Sequence, residues 1–218
     1  LCDRRQRQMC IRDRCNLLLE GFYTRLNHVF VLEEIGKDEE HNAVIKERRN
    51  GQGAEVAGVT VEGKVAYLSL VQLQAGVTWQ KSHYTRPEKW SKDSSVPAEK
   101  RIFRTPDWYG YFTATYSPVK PLNIALSGTY TGSMIVQHMK GYIPKDMAVT
   151  TPDFFDMNLK ISYDFSLYKF ITLQLNAGIQ NIFNAYQRDF DQGKERDSGY
   201  IYGPSMPRSY FAGAKLMF

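Results

Sequence analysis

Hydrophobic and polar residues alternate along several stretches of this chain. Between Phe155 and Phe165 every odd-numbered residue is apolar or aromatic, and every even-numbered residue is polar. Residues 71–80, 122–131 and 171–180 follow the same two-residue period. Because successive side chains of a β-strand point to opposite faces, each stretch predicts a strand with one apolar and one polar face.

The pattern predicts eight strands, and therefore an all-β fold. They are placed at residues 17–35, 53–67, 70–84, 106–117, 120–134, 154–166, 169–184 and 206–218. Each is long enough to supply the roughly 9–11 residues with which a tilted strand crosses a bilayer.

The links between these strands are of two kinds. Leu68-Ser69, Pro118-Val119 and Leu167-Tyr168 are tight turns. The links at 36–52, 85–105, 135–153 and 185–205 are long and polar. Short turns on one rim and long loops on the other are typical of outer-membrane barrels, which predicts about eight antiparallel transmembrane strands.

Alternation alone does not say which face is inside. In a large barrel, the polar side chains of the strand at 154–166 would face a wet lumen. These side chains are Asp156, Asn158, Lys160 and Asp164. In a soluble β-sandwich they would face outward and the apolar side chains would form the core, so this alternative stays open.

Composition narrows the class of protein. The formal net charge is +5, the pI is about 9.0 and the mean hydropathy is −0.43, with no apolar run long enough for a membrane helix. The 14 tyrosines lie largely near strand ends, where interfacial aromatic girdles occur. Positive charge is spread over the loops and the N-terminus, which argues against a nucleic-acid partner.

Residues 1–14 have neither a hydrophobic period nor the layout of a signal peptide. The run MCIRDR at 9–14 resembles the translation of a transposon-end adaptor used in sequencing libraries. We therefore expect residues 1–14 to be an unstructured artefact and residues 15–218 to be the folded part; a genuine basic arm is the alternative. All three cysteines, Cys2, Cys10 and Cys15, lie in or beside this segment, so the sequence predicts no disulfide framework.

Three stretches carry a family resemblance. They are AGVTVEG at 57–63, GIQNIFNAY at 178–186 and PRSYFAGAKLMF at 207–218. Together, in this order and at strand spacing, they resemble the C-terminal part of the barrel of TonB-dependent outer-membrane receptors. The overall sequence most resembles such receptors from Bacteroidetes-like bacteria. Pro207 replaces the usual glycine, and Leu216 replaces the usual aromatic residue.

The resemblance implies active uptake of a scarce nutrient across the bacterial outer membrane. The ligand would be a ferric siderophore, haem, cobalamin or an oligosaccharide, and no resident cofactor is implied. The family couples to the TonB energy complex through an N-terminal plug and TonB box, which have no counterpart in this chain. About eight strands would form the last part of a large barrel, so we expect an open curved sheet without pairing between residues 20–30 and 208–218.

Candidate ligand-binding residues lie near the long loops: His83, His138, Asp189, Asp191 and Arg196. Acids at alternate positions after Asp189 resemble a calcium loop, but the bidentate glutamate is missing, so no metal site is predicted. No pair of histidines has chelating spacing. The resemblance further implies an assembly signal in the last strand, formed by Phe218, Leu216, Gly213 and Tyr210 and read by the outer-membrane assembly machinery.

Other function classes remain as alternatives. The chain has no nucleophile elbow, phosphate-binding loop or metalloprotease helix motif, so no enzyme activity is predicted. A barrel hydrolase would need a reactive serine near His83 or His138. A passive porin would lack a plug, and a soluble sandwich binding module would need no detergent.

Overall fold

A computed structural model describes residues 15–28, 30–38, 40–41 and 43–218. The predicted adaptor-derived segment, residues 1–14, lies outside the described residues. Thirteen strands occur in the described part of the chain, which contains no helix long and apolar enough to cross a membrane. The strands are β1 (Cys15–Leu26), β2 (Phe30–Asp38), β3 (Ala43–Asn50), β4 (Ala54–Tyr67), β5 (Val71–Glu88), β6 (Glu99–Arg101), β7 (Trp108–Val119), β8 (Leu122–Thr131), β9 (Ile135–His138), β10 (Met147–Thr150), β11 (Phe154–Tyr168), β12 (Ile171–Gln180) and β13 (Ser209–Met217).

Eight of these strands form one antiparallel sheet in the order β1-β4-β5-β7-β8-β11-β12-β13. In the described residues β1 and β13 do not pair with each other, so the sheet is open, as the sequence predicts. Three short pieces stand apart from this path: β6 pairs with β5, and β2–β3 and β9–β10 form separate hairpins. The predicted number of spanning strands is therefore confirmed.

The register sorts the side chains of the sheet into two faces. On the apolar face Leu159 lies opposite Leu126 on one side and Ile179 on the other. On the polar face Asp164 accepts a hydrogen bond of 2.8 Å from Gln174, and Thr60 bonds Thr78 at 3.0 Å. The predicted polar residues Asp156, Asn158, Lys160 and Asp164 all lie on this polar face.

Two tight turns differ from their predicted positions by two residues. Pro118 lies inside β7, at a register shift between Tyr116 and Val119, where the missing N–H costs no ladder hydrogen bond. The turn is then Lys120-Pro121. In the same way β11 runs to Tyr168, past a shift after Ser166, and turns at Lys169-Phe170.

The predicted strand 17–35 is wrong in its second half. β1 ends at Leu26, and His28 has a positive φ of 66°, which breaks the ladder before β2 begins. The even spacing of His28 from Phe22 predicts that His28 lies mid-strand on an apolar face. That prediction is wrong, because His28 lies between β1 and β2. The predicted loop 36–52 holds most of the β2–β3 hairpin, for which Val44 and Ile45 supply β-branched side chains.

The buried core lies beside the sheet rather than under it. Met134, Val136 and Tyr200 form a buried cluster, with Val149 and Tyr202 packed against it. Met134 directly precedes β9, Val136 and Val149 lie in the β9–β10 hairpin, and the two tyrosines lie in the loop between β12 and β13, at the rim of the long loops. Packing is therefore concentrated at one end of the sheet.

Candidate functional site

Three long connections meet at one rim of the sheet, which we call the loop rim: residues 89–107, 132–153 and 181–208. Arg104 N donates to Ile135 O at 2.8 Å, which joins the first two connections, and Gly132 N donates to Trp108 O of β7 at 2.8 Å, which joins the second to the sheet. Met139 N donates to Asp197 Oδ2 at 2.8 Å, which joins the second connection to the third. The loop rim is thus a connected unit.

In the loop rim, the carboxylate of Asp189 accepts hydrogen bonds from two tyrosine hydroxyls. Tyr202 donates to its Oδ1 at 2.6 Å, and Tyr200 donates to its Oδ2 at 2.9 Å. Burial, together with the hydrogen bond and charge of Asp189, raises the pKa of Tyr200 to about 12 and also raises the pKa of Tyr202. Burial pushes the pKa of Asp189 upward, but the bonds from Tyr202 and Tyr200 outweigh it, and the net direction is down.

His138 connects the β9–β10 hairpin to the same group. Its ring stacks on Tyr200 with centroids 3.7 Å apart, and its Nε2 lies 2.9 Å from Asp191 Oδ2. That oxygen also accepts a bond of 2.9 Å from Asp197 N. Asp197 in turn accepts a bond of 2.8 Å from Met139 N, so side chains of the 181–208 loop hold the end of β9.

Gln187 braces the loop from inside. It is 1% exposed, its Nε2 donates to Tyr200 O at 3.0 Å, and its Oε1 accepts from Tyr202 N at 2.8 Å. Both ends of the amide are therefore used, which fixes the backbone that presents the two tyrosines. Buried polar groups that are fully paired order a structure because breaking either bond leaves a partner unsatisfied.

Residues 89–107 join the rim through two further contacts. Ser91 Oγ donates to Asp146 Oδ2 at 2.5 Å, while Lys140 N donates to Asp146 Oδ1 at 2.7 Å. Arg104 donates to the carbonyl oxygens of Ile201 and Gly199. A guanidinium placed between two carbonyls of another loop joins the two segments through its fixed fork of donors.

Of the predicted ligand-binding residues, the structure brings three together. His138 stacks on Tyr200, Asp189 accepts the hydrogen bond of the Tyr200 hydroxyl, and Asp191 contacts His138. Arg196 is exposed and donates to Gly193 O at 3.2 Å, within its own turn. His83 lies on β5, 3.7 Å from Glu55, and belongs to a different surface.

Sequence reasoning missed four residues of the rim: Tyr200, Tyr202, Gln187 and Arg104. The sequence places the two tyrosines among the candidate girdle residues near strand ends. Their signal is the alternation Tyr-Ile-Tyr at 200–202, shortly after the alternate acids that begin at Asp189. The carboxylates of that run, which resembled a calcium loop, accept hydrogen bonds from protein donors.

The residues of the predicted assembly signal occupy both faces of β13. Tyr210 and Leu216 lie on the apolar face, opposite Ile179 and Leu173. Gly213 lies on the polar face opposite Asn176. Phe218 follows the strand and is 89% exposed.

A sheet with one continuous apolar face and long loops gathered at one rim defines the class of outer-membrane β-barrel proteins. The family model of the TonB dependent receptor-like β-barrel matches residues 12–182. The chain therefore belongs to this family of outer-membrane receptors, which is not a family of enzymes. A search of curated proteins finds no match.

Solved structures show the same fold. The ferric-catecholate import receptor Fiu of E. coli K12 is 20% identical, with a TM-score of 0.59 over 95% of this chain and 26% of that chain. The ferripyoverdine receptor of Pseudomonas aeruginosa is 15% identical, with a TM-score of 0.60 over 94% and 25%. The siderophore receptor PiuA of Acinetobacter baumannii is 16% identical, with a TM-score of 0.59 over 94% and 26%. The chain thus spans about a quarter of the length of these receptors, and the soluble sandwich is set aside.

Proposed function

We propose that the chain forms part of the barrel of a receptor that takes up a scarce nutrient across the outer membrane by TonB-coupled transport. The observation that carries the proposal is the loop rim, a packed, polar and aromatic structure at the long-loop end of a membrane sheet. A loop set held by His138, Asp189 and Gln187 presents a defined surface, as a selective receptor needs and a passive pore does not.

We propose a ferric siderophore as the nutrient, ahead of haem, cobalamin and oligosaccharides. The link 85–105 carries six Lys or Arg residues and three Asp or Glu residues, so it attracts anions such as ferric chelates. Trp90 and Phe103 form an edge-to-face pair in this link, with centroids 5.3 Å apart. Their apolar surface suits an aromatic chelate. The names of the three solved relatives, which are receptors of ferric chelates or siderophores, support the same class.

Uptake of radioactive iron tests the proposal. In iron-starved cells, deletion of the gene should lower uptake of one ferric siderophore, and the wild-type gene should restore it. Uptake should also need the proton motive force, which separates energy-coupled transport from diffusion through a porin. A deletion strain that loses only cobalamin, haem or oligosaccharide uptake would redirect the proposal to that ligand.

We also propose that the last strand is read by the outer-membrane assembly machinery. The support is the exposed aromatic end, Phe218, following Leu216 and Tyr210 on the apolar face. Phe218→Ala should lower the amount of folded receptor in the membrane while leaving total synthesis unchanged. Lys215→Ala, on the polar face of the same strand, is the control that should assemble normally.

A further inference from the structure

A row of charged residues ends the apolar face on the β1-β4-β5 side. The register places Arg25 opposite Glu55, Glu55 opposite His83, and His83 opposite Arg101 of β6. Lys81 lies on the same face one row nearer the membrane, opposite Ala57. We call Arg25, Glu55, Lys81, His83 and Arg101 the basic patch.

An aromatic row lies directly beneath the basic patch. Trp79 is opposite Val59 and Trp108, and the two indole rings have centroids 6.3 Å apart. Trp79 is 40% exposed and Trp108 is 50% exposed. Trp side chains at the edge of an apolar band mark the level of the lipid headgroups. Lys81 is two residues further along β5, or about 7 Å along the strand from Trp79 and away from the apolar band.

The charges of the basic patch are only partly neutralised within the protein. Glu55 is the single carboxylate, lying 3.6 Å from Arg25 Nε and 3.7 Å from His83 Nε2. Lys81 and Arg101 are exposed, and neither side chain forms an ion pair in the described part of the chain. A further carboxylate beside the patch is that of Glu99, whose Oε1 accepts a hydrogen bond of 3.0 Å from Arg101 N. When His83 is neutral, the basic patch carries two positive charges in excess over Glu55, and one when Glu99 is also counted.

The β8-β11 part of the same apolar face is built differently near this rim. There Tyr130 lies opposite Gly110, one row further from the rim than Trp108, and its hydroxyl donates to Asp153 Oδ2 at 3.3 Å. An acidic residue thus follows the aromatic row on the β8-β11 side, whereas cations follow it on the β5 side. The positive charge is a local feature of one part of the rim and not a general property of it.

We propose that the basic patch binds the phosphorylated headgroup of a lipid in the outer leaflet. Lys81 and Arg101 supply charge-assisted donors for the phosphate, and the lysine stem can lie along Trp79 while its ammonium stays in the headgroup layer. The acyl chains would continue along the apolar face beneath Trp79 and Trp108. The basic patch lies at the long-loop end of the sheet, and long loops lie on the extracellular side of such barrels, so the lipid belongs to the outer leaflet. The inference is independent of the nutrient that is transported.

Native mass spectrometry of the full-length protein in detergent tests this site, with diphosphoryl lipid A as the probe. The double variant Lys81→Gln/Arg101→Gln should bind the probe about 30-fold more weakly, from the loss of two cations near a charged membrane surface. Lys64→Gln/Lys160→Gln removes the same charge from the polar face and should bind like the wild type. Dephosphorylated lipid A should bind the wild type as weakly as diphosphoryl lipid A binds the double variant.

Three results would overturn the proposal. They are equal binding of phosphorylated and dephosphorylated lipid, unchanged binding by the double variant, and complete displacement of the probe by an equal concentration of inorganic phosphate. The last result would indicate a site for a soluble anion. The shift in gel mobility on heating confirms that each variant is folded. If the double variant does not fold, binding by the wild type should still weaken steadily as sodium chloride is added, and salt-independent binding would contradict the proposal.

Discussion

The sheet and the loop rim differ in which side chains they bury. In the sheet, large apolar side chains are exposed: Leu19 by 70% and Leu175 by 44%. In the loop rim, which is polar in sequence, Val136 is fully buried and Gln187 is 1% exposed. A soluble protein would show the reverse, with the sheet covering the core and the loops open to water.

The difference follows from the solvent around each region. The sheet faces lipid, so its apolar side chains need no protein partner, and its order comes from the backbone pairing of neighbouring strands. The loop rim stands in water and gains stability only from its own packing and hydrogen bonds. The two regions should therefore respond differently to the same kind of substitution.

The largest expected effect comes from placing charge on the lipid side of the sheet. Ile161 is the middle residue of β11 and lies on the apolar face, opposite Ile124 and Ala177. Ile161→Arg should lower the free energy of unfolding by about 2–4 kcal/mol, the cost of a cation near the bilayer midplane. Equilibrium unfolding of the full-length protein from lipid vesicles measures this loss.

Ser162→Arg is the matched control, one residue further along the same strand but on the polar face. It should lower the free energy of unfolding by much less. If the two variants lose equal stability, the sheet does not have one lipid-facing side. The proposed difference in solvent between the sheet and the loop rim would then be wrong.

A smaller loss is expected inside the loop rim. Gln187→Ala leaves Tyr200 O without a donor and Tyr202 N without an acceptor, which should cost about 2 kcal/mol of local stability. Hydrogen exchange should become faster in residues 185–205, whereas the amides of the sheet should keep their protection. Gln192→Ala, exposed in the same loop, should change neither; faster exchange across the whole sheet would show that the two regions unfold together.

The sequence predicts the sheet well because the side chains of a strand alternate between an apolar and a polar face, which produces a two-residue period. In β11 that period identifies the face of each residue from Phe155 to Phe165, and the register confirms it. Turns are less well determined, because Pro118 signals a break in the chain but a strand can accommodate it at a bulge. The break at His28 has no hydrophobic signature, since it depends on a backbone conformation.

The loop rim is poorly predicted because its contacts join residues far apart in the chain. Arg104 contacts the carbonyl of Ile201, and Ser91 bonds Asp146. No period or motif announces such pairs. Sequence reasoning reached His138, Asp189 and Asp191 by residue type, but not Tyr200, which joins them. Tyr200 is also typical of a membrane girdle, and composition does not distinguish these two roles.

Alkaline pH should open the loop rim before it affects the sheet. A tyrosine whose folded-state pKa is raised adds stability below its ordinary pKa of 10, and this stability is lost as the pH rises through the folded-state value. For Tyr200 that value is about 12. Between these limits the hydroxyl bonds to Asp189 should break. Near-ultraviolet tyrosinate absorbance should show a late step, accompanied by faster proteolysis of residues 185–205.

Tyr200→Phe is the control for that titration. It should make the late absorbance step smaller, since Tyr202, whose pKa is also raised, still titrates late, and should make proteolysis of the loop less dependent on pH in the same range. If the wild-type protein instead shows a single titration near 10 with no change in proteolysis, Tyr200 is not held by Asp189, and the rim is less ordered than the comparison requires.

The smallest expected effect is the loss of one hydroxyl from the rim. Tyr202→Phe removes the 2.6 Å bond to Asp189 Oδ1 but leaves the bond from Tyr200. The expected cost is about 1 kcal/mol of local stability. Because one fewer donor then stabilises the carboxylate, the pKa of Asp189 should rise toward its ordinary value, and the rim should open at a less acidic pH. Tyr186→Phe in the same loop should leave both properties unchanged, and an equal effect of the two variants would mean that ring packing, rather than the bond to Asp189, holds the loop.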